Sequence, residues 1–118
     1  MQVGIDIVEV DRLRDIERDE KKLVKLFTNN EISYFNSFVN KTEHIAGFFC
    51  AKEAFSKALK SGFGEKLNPL DIEILHEKSG APFLNIIKKE IKNELLNKTI
   101  EISISHTNNT ATAICSII

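Results

Sequence analysis

The chain has 118 residues, which is enough for one domain and hardly for two, and its formal net charge is −1. Hydrophobic residues make up 42% of the chain and charged residues 28%, the ordinary mixture of a globular domain. The balanced charge argues against a general nucleic-acid binder, because such proteins usually carry a basic excess.

The first half of the chain predicts one strand followed by three helices. The segment 3–10 is short and rich in β-branched residues, which is typical of a strand. Residues 11–27 place apolar side chains on one side of a helical wheel and predict a single helix. A short helix is predicted over 31–39, and the longest one over 43–61 with Thr42 as its cap.

The second half predicts two β-hairpins separated by a short helix. The strand-like segments are residues 71–77, 81–86, 100–106 and 110–118. Residues 87–96 have apolar side chains at four-residue spacing and predict the helix, while Asn108 and Asn109 are expected to turn at positive φ. The order β-α-α-α-β-β-α-β-β predicts an α+β fold, one domain over 1–118 with a largely antiparallel sheet packed with helices.

Asp6 departs from its local pattern, because Asp is depleted in strands and Val3, Ile5 and Ile7 alternate around it. A carboxylate in an apolar strand needs a cation, a metal or several N–H donors. The alternative is an edge-strand Asp that faces solvent or caps a turn, and this residue alone leaves both interpretations open.

Glu53 and Lys57 are spaced i,i+4 within the longest predicted helix, with Lys60 one turn further on. Small residues around them would let a ligand or another backbone approach closely: Ala46, Cys50, Ala54 and Ala58. The alternative is a solvated Glu–Lys pair that stabilises the helix by roughly a few tenths of a kcal/mol.

His106 ends a strand on the same face as Ile102 and Ile104, and a lone histidine there is either structural or catalytic. It cannot form a triad with Ser105, because adjacent strand residues point in opposite directions. The loop at 62–64, where Gly62 suits a left-handed conformation, is too short for a known phosphate-binding loop.

Neither cysteine nor any apolar segment points to a secreted or membrane protein. No segment reaches the ~18 apolar residues of a membrane span, and the N-terminal segment lacks the basic region of a signal peptide. Cys50 and Cys115 lie in apolar surroundings, so buried thiols are favoured over a disulfide. We therefore expect a cytoplasmic protein without membrane contacts.

Several segments together resemble one family, the short bacterial holo-[acyl-carrier-protein] synthases of the 4′-phosphopantetheinyl transferase type. The matching segments, in order, are GIDIVEVDR (4–12), FCAKEAFSKAL (49–59), GFG (62–64), DIEI (71–74), GAP (80–82) and SISHT (103–107). The resemblance implies transfer of 4′-phosphopantetheine from coenzyme A to a serine of apo-acyl carrier protein, within fatty acid biosynthesis, with adenosine 3′,5′-bisphosphate as the other product.

The resemblance also assigns roles to individual residues. It implies that Asp6 and Glu53 bind Mg²⁺, which agrees with the preference of this ion for carboxylate oxygens. Glu53 and Lys57 become the catalytic residues, while Lys57 and His106 contact coenzyme A; the general base stays open between Glu53, a metal-bound water and a carrier group. Weaker candidates for coenzyme A contacts are Thr107, Gly62 and Gly64.

One position departs from the family pattern. Phe48 stands where members commonly have an arginine, so one cationic contact to coenzyme A is missing or comes from elsewhere, for example Lys52 or a neighbouring subunit. The resemblance further implies a homotrimer with active sites between subunits, in which the apolar Ile117 and Ile118 are interface candidates.

The balanced total charge hides a basic stripe on the first predicted helix. On a continuous helix its members lie within roughly 60° of one another, and they are Arg14, Arg18, Lys21 and Lys25. The stripe is either a solvated face or, with the family resemblance, a docking surface for an acidic acyl carrier protein.

Two other functions are compatible with the sequence pattern. One is an oligomeric binding module that retains the fold without the reaction; intact Asp6, Glu53 and Lys57 argue against it. The other is a Mg²⁺-dependent coenzyme A pyrophosphatase, against which the lack of a clustered acidic motif counts.

Overall fold

The computed structural model describes residues 1–118 and contains two antiparallel sheets. The strands are β1 (Gln2–Glu9), β2 (Ile72–His76), β3 (Pro82–Ile86), β4 (Ile100–His106) and β5 (Thr110–Ile117). The larger sheet has the order β1-β5-β4, so the first and last strands of the chain are neighbours, and β2 and β3 form a separate hairpin. The predicted α+β fold with antiparallel strands is confirmed.

Five α-helices accompany the sheets: α1 (Arg14–Arg18), α2 (Glu20–Leu26), α3 (Asn29–Phe35), α4 (Lys41–Ala58) and α5 (Lys89–Glu94). Helix α4 crosses one face of the larger sheet and forms the centre of the core. It presents small buried side chains there, which allow the helix and the sheet to approach closely: Ala46, Cys50, Ala51, Ala54 and Ala58. None of the helices combines the length and the apolar character needed to span a bilayer.

Strand β1 turns three of its four apolar side chains away from this core. Gly4 and Val8 are buried under α4, whereas Val3, Ile5 and Ile7 are 51%, 61% and 68% exposed. Side chains alternate between the two faces of a strand, so Asp6 lies on the side of α4. The apolar alternation that drew attention to Asp6 is therefore a second, outward-facing apolar surface.

The single helix predicted over residues 11–27 is wrong. A 3-10 turn at Val10–Leu13 leads into α1, and the chain is extended at Asp19 before α2 begins. The Asp19 carboxylate accepts hydrogen bonds from the backbone N–H groups of Lys21 and Lys22, at 3.0 and 3.4 Å. An Asp that caps a new helix satisfies two otherwise free N–H groups, and this local gain interrupts the apolar period.

The starts of two predicted helices also differ, and the one predicted cap, Thr42, is wrong. Helix α3 begins at Asn29, two residues early, because Thr28 and Glu31 form a reciprocal capping box. Helix α4 begins at Lys41, and the Thr42 hydroxyl does not cap it but donates a hydrogen bond to the Glu17 carboxylate.

The turn after the long helix is as predicted, and the turn within the last hairpin is not. Gly62 has the expected left-handed conformation at φ +62°, and Lys60 also has a positive φ of 66°. Asn108 and Asn109 do not have positive φ. Instead, the Thr107 hydroxyl accepts hydrogen bonds from the N–H groups of Asn109 and Thr110, which closes the turn with a side chain.

Both cysteines are buried free thiols, as predicted. Burial raises the pKa of each thiol to about 12, so neither is ionised near neutral pH. Of the two isoleucines expected at an interface, Ile117 is buried in the core and only Ile118 is exposed, so the expectation for Ile117 is wrong.

Candidate active site

The candidate site lies where β1 crosses α4. A Cβ atom on Gly4 would lie 1.9 Å from the carbonyl oxygen of Ala54 and 2.6 Å from the backbone nitrogen of Ala58. Only a residue without a side chain permits this approach, and it brings Asp6 beside the part of α4 that carries Glu53 and Lys57. The structure therefore brings Asp6 to Glu53 and Lys57, which lie about 50 positions further along the sequence.

Lys57 binds β1 directly. Its ammonium group donates hydrogen bonds to the Asp6 carboxylate at 3.1 Å and to the Ile5 carbonyl oxygen at 3.0 Å. The i,i+4 spacing predicts a Glu53–Lys57 pair, but the salt bridge of Lys57 is with Asp6. The Lys57 side chain is half-exposed, so it is accessible to an anionic ligand from the solvent side.

Glu53 lies in an unfavourable electrostatic environment. Burial is the main cause that raises the pKa of its carboxyl group, the charge of Asp6 raises it further, and Lys57 opposes the shift. Two carboxylates that repel one another are a suitable site for a divalent cation, which relieves the repulsion. No cluster of three or more His, Cys, Asp or Glu side chains arranged for a metal ion occurs in the structure.

An apolar cavity of about 200 Å³ lies next to Glu53. Its walls come from α2, α4 and the loop that follows α4, and consist of Leu26, Phe27, Phe49, Lys52, Glu53, Phe63 and Pro69. The apolar wall explains the desolvation of the Glu53 carboxyl group.

Lys52, the residue before Glu53, has a structural role. Its ammonium group is 2.7 Å from the Glu31 carboxylate and donates hydrogen bonds to the carbonyl oxygens of Leu26 and Pro69. The side chain is only 3% exposed. Lys52 therefore cannot supply the cationic contact to coenzyme A that the sequence suggested in place of the missing arginine at Phe48.

His106 lies in a second cleft, about 170 Å³ in volume, at the other end of α4. Its Nδ1 atom is 3.4 Å from the Glu43 carboxylate. Phe48 lines the same cleft and stacks on Tyr34 at 5.2 Å between ring centroids. Three further lining residues, Tyr34, His44 and His76, lie on three different elements, so no local pattern in the sequence reveals them.

The loop at 62–64 and Thr107 make mostly internal contacts. The N–H group of Gly62 donates to the Ser56 carbonyl oxygen and that of Gly64 to the Leu67 carbonyl oxygen, at 3.2 and 2.9 Å. Both amides already have a partner, so a phosphate would have to be held by other groups of this loop. Open space surrounds both glycines.

The basic residues predicted for carrier docking are all exposed, but the bend at Asp19 separates Arg14 and Arg18 from Lys21 and Lys25. The Arg14 guanidinium is paired with Asp11 at 2.7 Å, and this hydrogen bond raises its pKa further. The other three have no ion pair, so the free positive charge of this surface comes from them.

Comparison with known proteins shows the family of this chain. The model of the 4′-phosphopantetheinyl transferase superfamily matches residues 2–115. The chain belongs to that superfamily. The holo-[acyl-carrier-protein] synthase of a Thermoanaerobacter species is 49% identical over 112 residues, covering 89% of this chain and 78% of the relative. The resemblance inferred from the motifs is confirmed.

Solved structures of superfamily members have the same fold. The holo-[acyl-carrier-protein] synthase of Helicobacter pylori, in complex with coenzyme A, gives a TM-score of 0.87 at 34% identity and covers 98% of this chain and 99% of its own. The Bacillus anthracis enzyme, in complex with CoA (3′,5′-ADP), gives 0.84 at 31% identity, covering 98% and 94%. These similarities extend over nearly the whole chain, so they include both ends of α4.

Proposed function

We propose that this protein transfers the 4′-phosphopantetheine group of coenzyme A to a serine of apo-acyl carrier protein. The observation that carries the proposal is the meeting of Asp6, Glu53 and Lys57 at the crossing of β1 and α4. The serine oxygen attacks the β-phosphorus of the pyrophosphate, the bond from that phosphorus to the bridging oxygen breaks, and adenosine 3′,5′-bisphosphate leaves.

The two catalytic residues have different tasks in this proposal. Lys57 is half-exposed and positively charged, so it contacts the pyrophosphate and offsets the negative charge that develops on the leaving group. Asp6 is already paired with Lys57, so Glu53 is the one of the two carboxylates that is a candidate for accepting the serine proton, with a water or a carrier group as the alternatives.

Mg²⁺ dependence is part of the same proposal. Asp6 and Glu53 would hold the ion, since Mg²⁺ often binds through one or two carboxylates and completes its shell with waters and substrate phosphate. The mutual repulsion of these carboxylates supports the assignment. When bound, the ion would neutralise charge on the pyrophosphate.

Coenzyme A extends beyond this site, and further contacts are proposed for its remaining parts. His106, which lines the second cleft, is proposed to contact the nucleotide portion. Thr107 and the loop with Gly62 and Gly64 remain weaker candidates, because the Thr107 oxygen and both glycine amides already have partners within the chain.

The acyl carrier protein is proposed to dock on the exposed basic side chains of α1 and α2. Arg18, Lys21 and Lys25 supply unpaired positive charge, with Arg14 at the edge of the same surface. A carrier with an acidic recognition helix would be attracted to this field although the whole chain has a net charge of −1.

We propose that the protein is a homotrimer and that a second copy covers the outward face of β1. Val3, Ile5, Ile7 and, on β5, Ile114 form an apolar surface there that water would otherwise contact. Asp6 lies on the same strand with its side chain on the opposite face, towards α4; because β1 is an edge strand, a neighbour that extends round this edge would reach the site. The proposed location is the cytoplasm, which is consistent with two free thiols.

The direct test is the mass of a carrier protein. Apo-acyl carrier protein is incubated with this protein, coenzyme A and Mg²⁺, and its intact mass is then measured. A gain of one phosphopantetheine group is the expected result. Binding of coenzyme A without any gain would reject the transferase and favour the binding module.

A further inference from the structure

A buried ion pair involves the residue next to Glu53 and takes no part in the proposed reaction. It joins Lys52 on α4 to Glu31 on α3, and the two side chains are 3% and 0% exposed. A buried pair of this kind is weak evidence for stability, because the desolvation of both charges offsets much of their attraction. Its contacts indicate a role in positioning instead.

The acceptors around the Lys52 ammonium group come from three separate segments. Besides Glu31 on α3, they are the carbonyl oxygen of Leu26 at the end of α2 and that of Pro69 in the turn before β2, at 2.8 and 2.9 Å. An ammonium group has three N–H donors, so none is left for a ligand. Lys52 therefore joins α4 to the C-terminal end of α2.

Glu31 holds the ammonium group of Lys52 in place. One carboxylate oxygen of Glu31 also accepts a hydrogen bond from the N–H group of Thr28, and the other accepts one from the N–H group of Ile74 on β2, both at 2.9 Å. The carboxylate is thus fixed by the start of α3 and by β2. The anchor of Lys52 therefore belongs to the core of the domain and not to α2.

Helix α2 has little apolar packing of its own. None of its seven residues is buried, and only Leu23 and Leu26 are partly buried. Its N-terminal cap, Asp19, directly precedes it in the chain, so this cap does not tie the helix to the core. At the other end, Lys52 donates to a terminal carbonyl group of the kind that a helix cannot satisfy itself, and the buried Phe27 follows. Lys52 and Phe27 thus anchor α2.

We propose that Lys52 is a positioning residue for recognition of the acyl carrier protein. The inference rests on the proposed function, in which the carrier docks on basic side chains of α2 while its serine reacts beside Glu53. Lys21 and Lys25 are four positions apart on the anchored helix, so they share one of its faces. Because Lys52 and Glu53 are neighbours on α4, the hydrogen bond from Lys52 to Leu26 sets the place of this face relative to the site.

A double variant, Lys52→Met with Glu31→Gln, removes the ion pair without leaving an unpaired buried charge. Calorimetry is expected to show that its Kd for apo-acyl carrier protein rises about tenfold, comparable with the loss of a hydrogen bond to a charged group. Its Kd for coenzyme A should not change. An unchanged Kd for the carrier, or an equal loss of affinity for both ligands, would overturn the proposal.

A destabilised variant elsewhere in the fold is the matched control. Ile91→Ala removes buried apolar volume from α5, which packs against β3, and is expected to lower stability while leaving the carrier Kd unchanged. If this variant weakened carrier binding as much as the double variant does, the effect would be one of stability and the proposal would be rejected.

Removal of the docking charges tests whether Lys52 acts through α2. In a background of Lys21→Ala with Lys25→Ala, the substitutions at Lys52 and Glu31 are expected to raise the carrier Kd no further, because the groups that they position are absent. A further tenfold rise in this background would contradict the proposal.

Amide hydrogen exchange with Glu31→Gln gives a test that does not depend on folding of the double variant. This variant retains the Lys52 ammonium group and loosens its anchor, so exchange in α2 should become faster while exchange in α5 stays the same. The carrier Kd should rise, by less than in the double variant. Faster exchange in α2 with an unchanged carrier Kd would overturn the positioning role.

The carrier-mass assay separates this inference from the proposed function. Transfer by the unmodified protein, together with an unchanged carrier Kd in the double variant, would reject the role of Lys52 alone. Weaker carrier binding by the double variant, without transfer by the unmodified protein, would reject the transferase alone.

Discussion

A side chain on Gly4 would collide with the carbonyl oxygen of Ala54, because a Cβ atom at Gly4 would lie only 1.9 Å from it. The obstacle is helix backbone, which cannot rotate away as a flexible side chain could. The absence of a side chain at Gly4 therefore sets the short distance between the backbones of β1 and α4. That distance in turn sets the position of Asp6 relative to Glu53.

Gly4→Ala is expected to destabilise the protein by about 3 kcal/mol or more, since overpacking a core against backbone forces the two elements apart. Transfer activity should fall together with stability, because Asp6 moves away from α4. Urea unfolding measures the first effect and the carrier assay the second. Gly64→Ala is the matched control for the unfolding measurement alone, since open space surrounds Gly64; a Gly4→Ala variant as stable as this control would contradict the account.

Two lysines on α4 should respond to truncation in opposite ways. Lys52 is buried against Glu31, so Lys52→Met leaves an uncompensated buried charge and is expected to cost about 3–5 kcal/mol. Lys57 is half-exposed, so Lys57→Met is expected to cost less than about 1 kcal/mol while removing most of the transfer activity. Unfolding curves and turnover rates of both variants check this contrast. Equal stability losses would show that the burial of Lys52 is misassigned.

The basic surface of α1 and α2 is tested by charge reversal. Arg18→Glu with Lys21→Glu is expected to raise the KM for the carrier about tenfold and to leave the KM for coenzyme A unchanged, because these side chains are exposed and unpaired. Lys89→Glu with Lys92→Glu on α5 is the matched control, with the same change in total charge. If both pairs changed the carrier KM equally, the effect would be one of total charge.

The outward face of β1 is tested through the oligomeric state. Ile5→Lys places a charge in the proposed subunit interface and is expected to shift the protein from trimer to monomer in sedimentation equilibrium. Activity should fall as well, since the site is proposed to lie between subunits. Val39→Lys is the control, because Val39 is fully exposed elsewhere on the surface. A monomeric unmodified protein with full activity would reject the proposed trimer.

The order of strands and helices could be predicted from the sequence because apolar spacing is a local property. The break at Asp19 could not, since a capping carboxylate there outweighs the apolar period on either side. Nor does alternation along β1 reveal which face meets the chain's own core. Here the glycine and aspartate side faces α4, and Val3, Ile5 and Ile7 face outward.

In the candidate site, too, some residues had a local signal in the sequence and others had none. Asp6 stood out because it interrupts the apolar pattern of its strand, and Glu53 because small residues surround it and Lys57 follows four positions later. The burial of Lys52 did not, because its partners come from α2, α3 and the loop before β2. The cleft of His44, His76 and His106 is likewise assembled from separate elements, and no spacing in the sequence indicates it.

Glu53→Gln should remove transfer activity without lowering the stability of the fold. Because the folded state raises the pKa of Glu53, the ionised carboxylate destabilises the fold: the cost is absent below the unfolded pKa of about 4.3 and develops as the pH rises past it. The variant should therefore be as stable as the unmodified protein near pH 4 and slightly more stable near pH 8. Thermal unfolding at both pH values checks the sign. A variant that is less stable at pH 8 would contradict the assigned burial and repulsion.

The most direct test of the account compares the mass of one apo-acyl carrier protein after incubation with the unmodified protein and with Glu53→Gln, each with coenzyme A and Mg²⁺. The account predicts that the unmodified protein adds one phosphopantetheine group to the carrier. It predicts that the folded variant leaves the carrier unchanged. Modification by the variant at the rate of the unmodified protein would contradict the assignment of the reaction to the site of Asp6, Glu53 and Lys57.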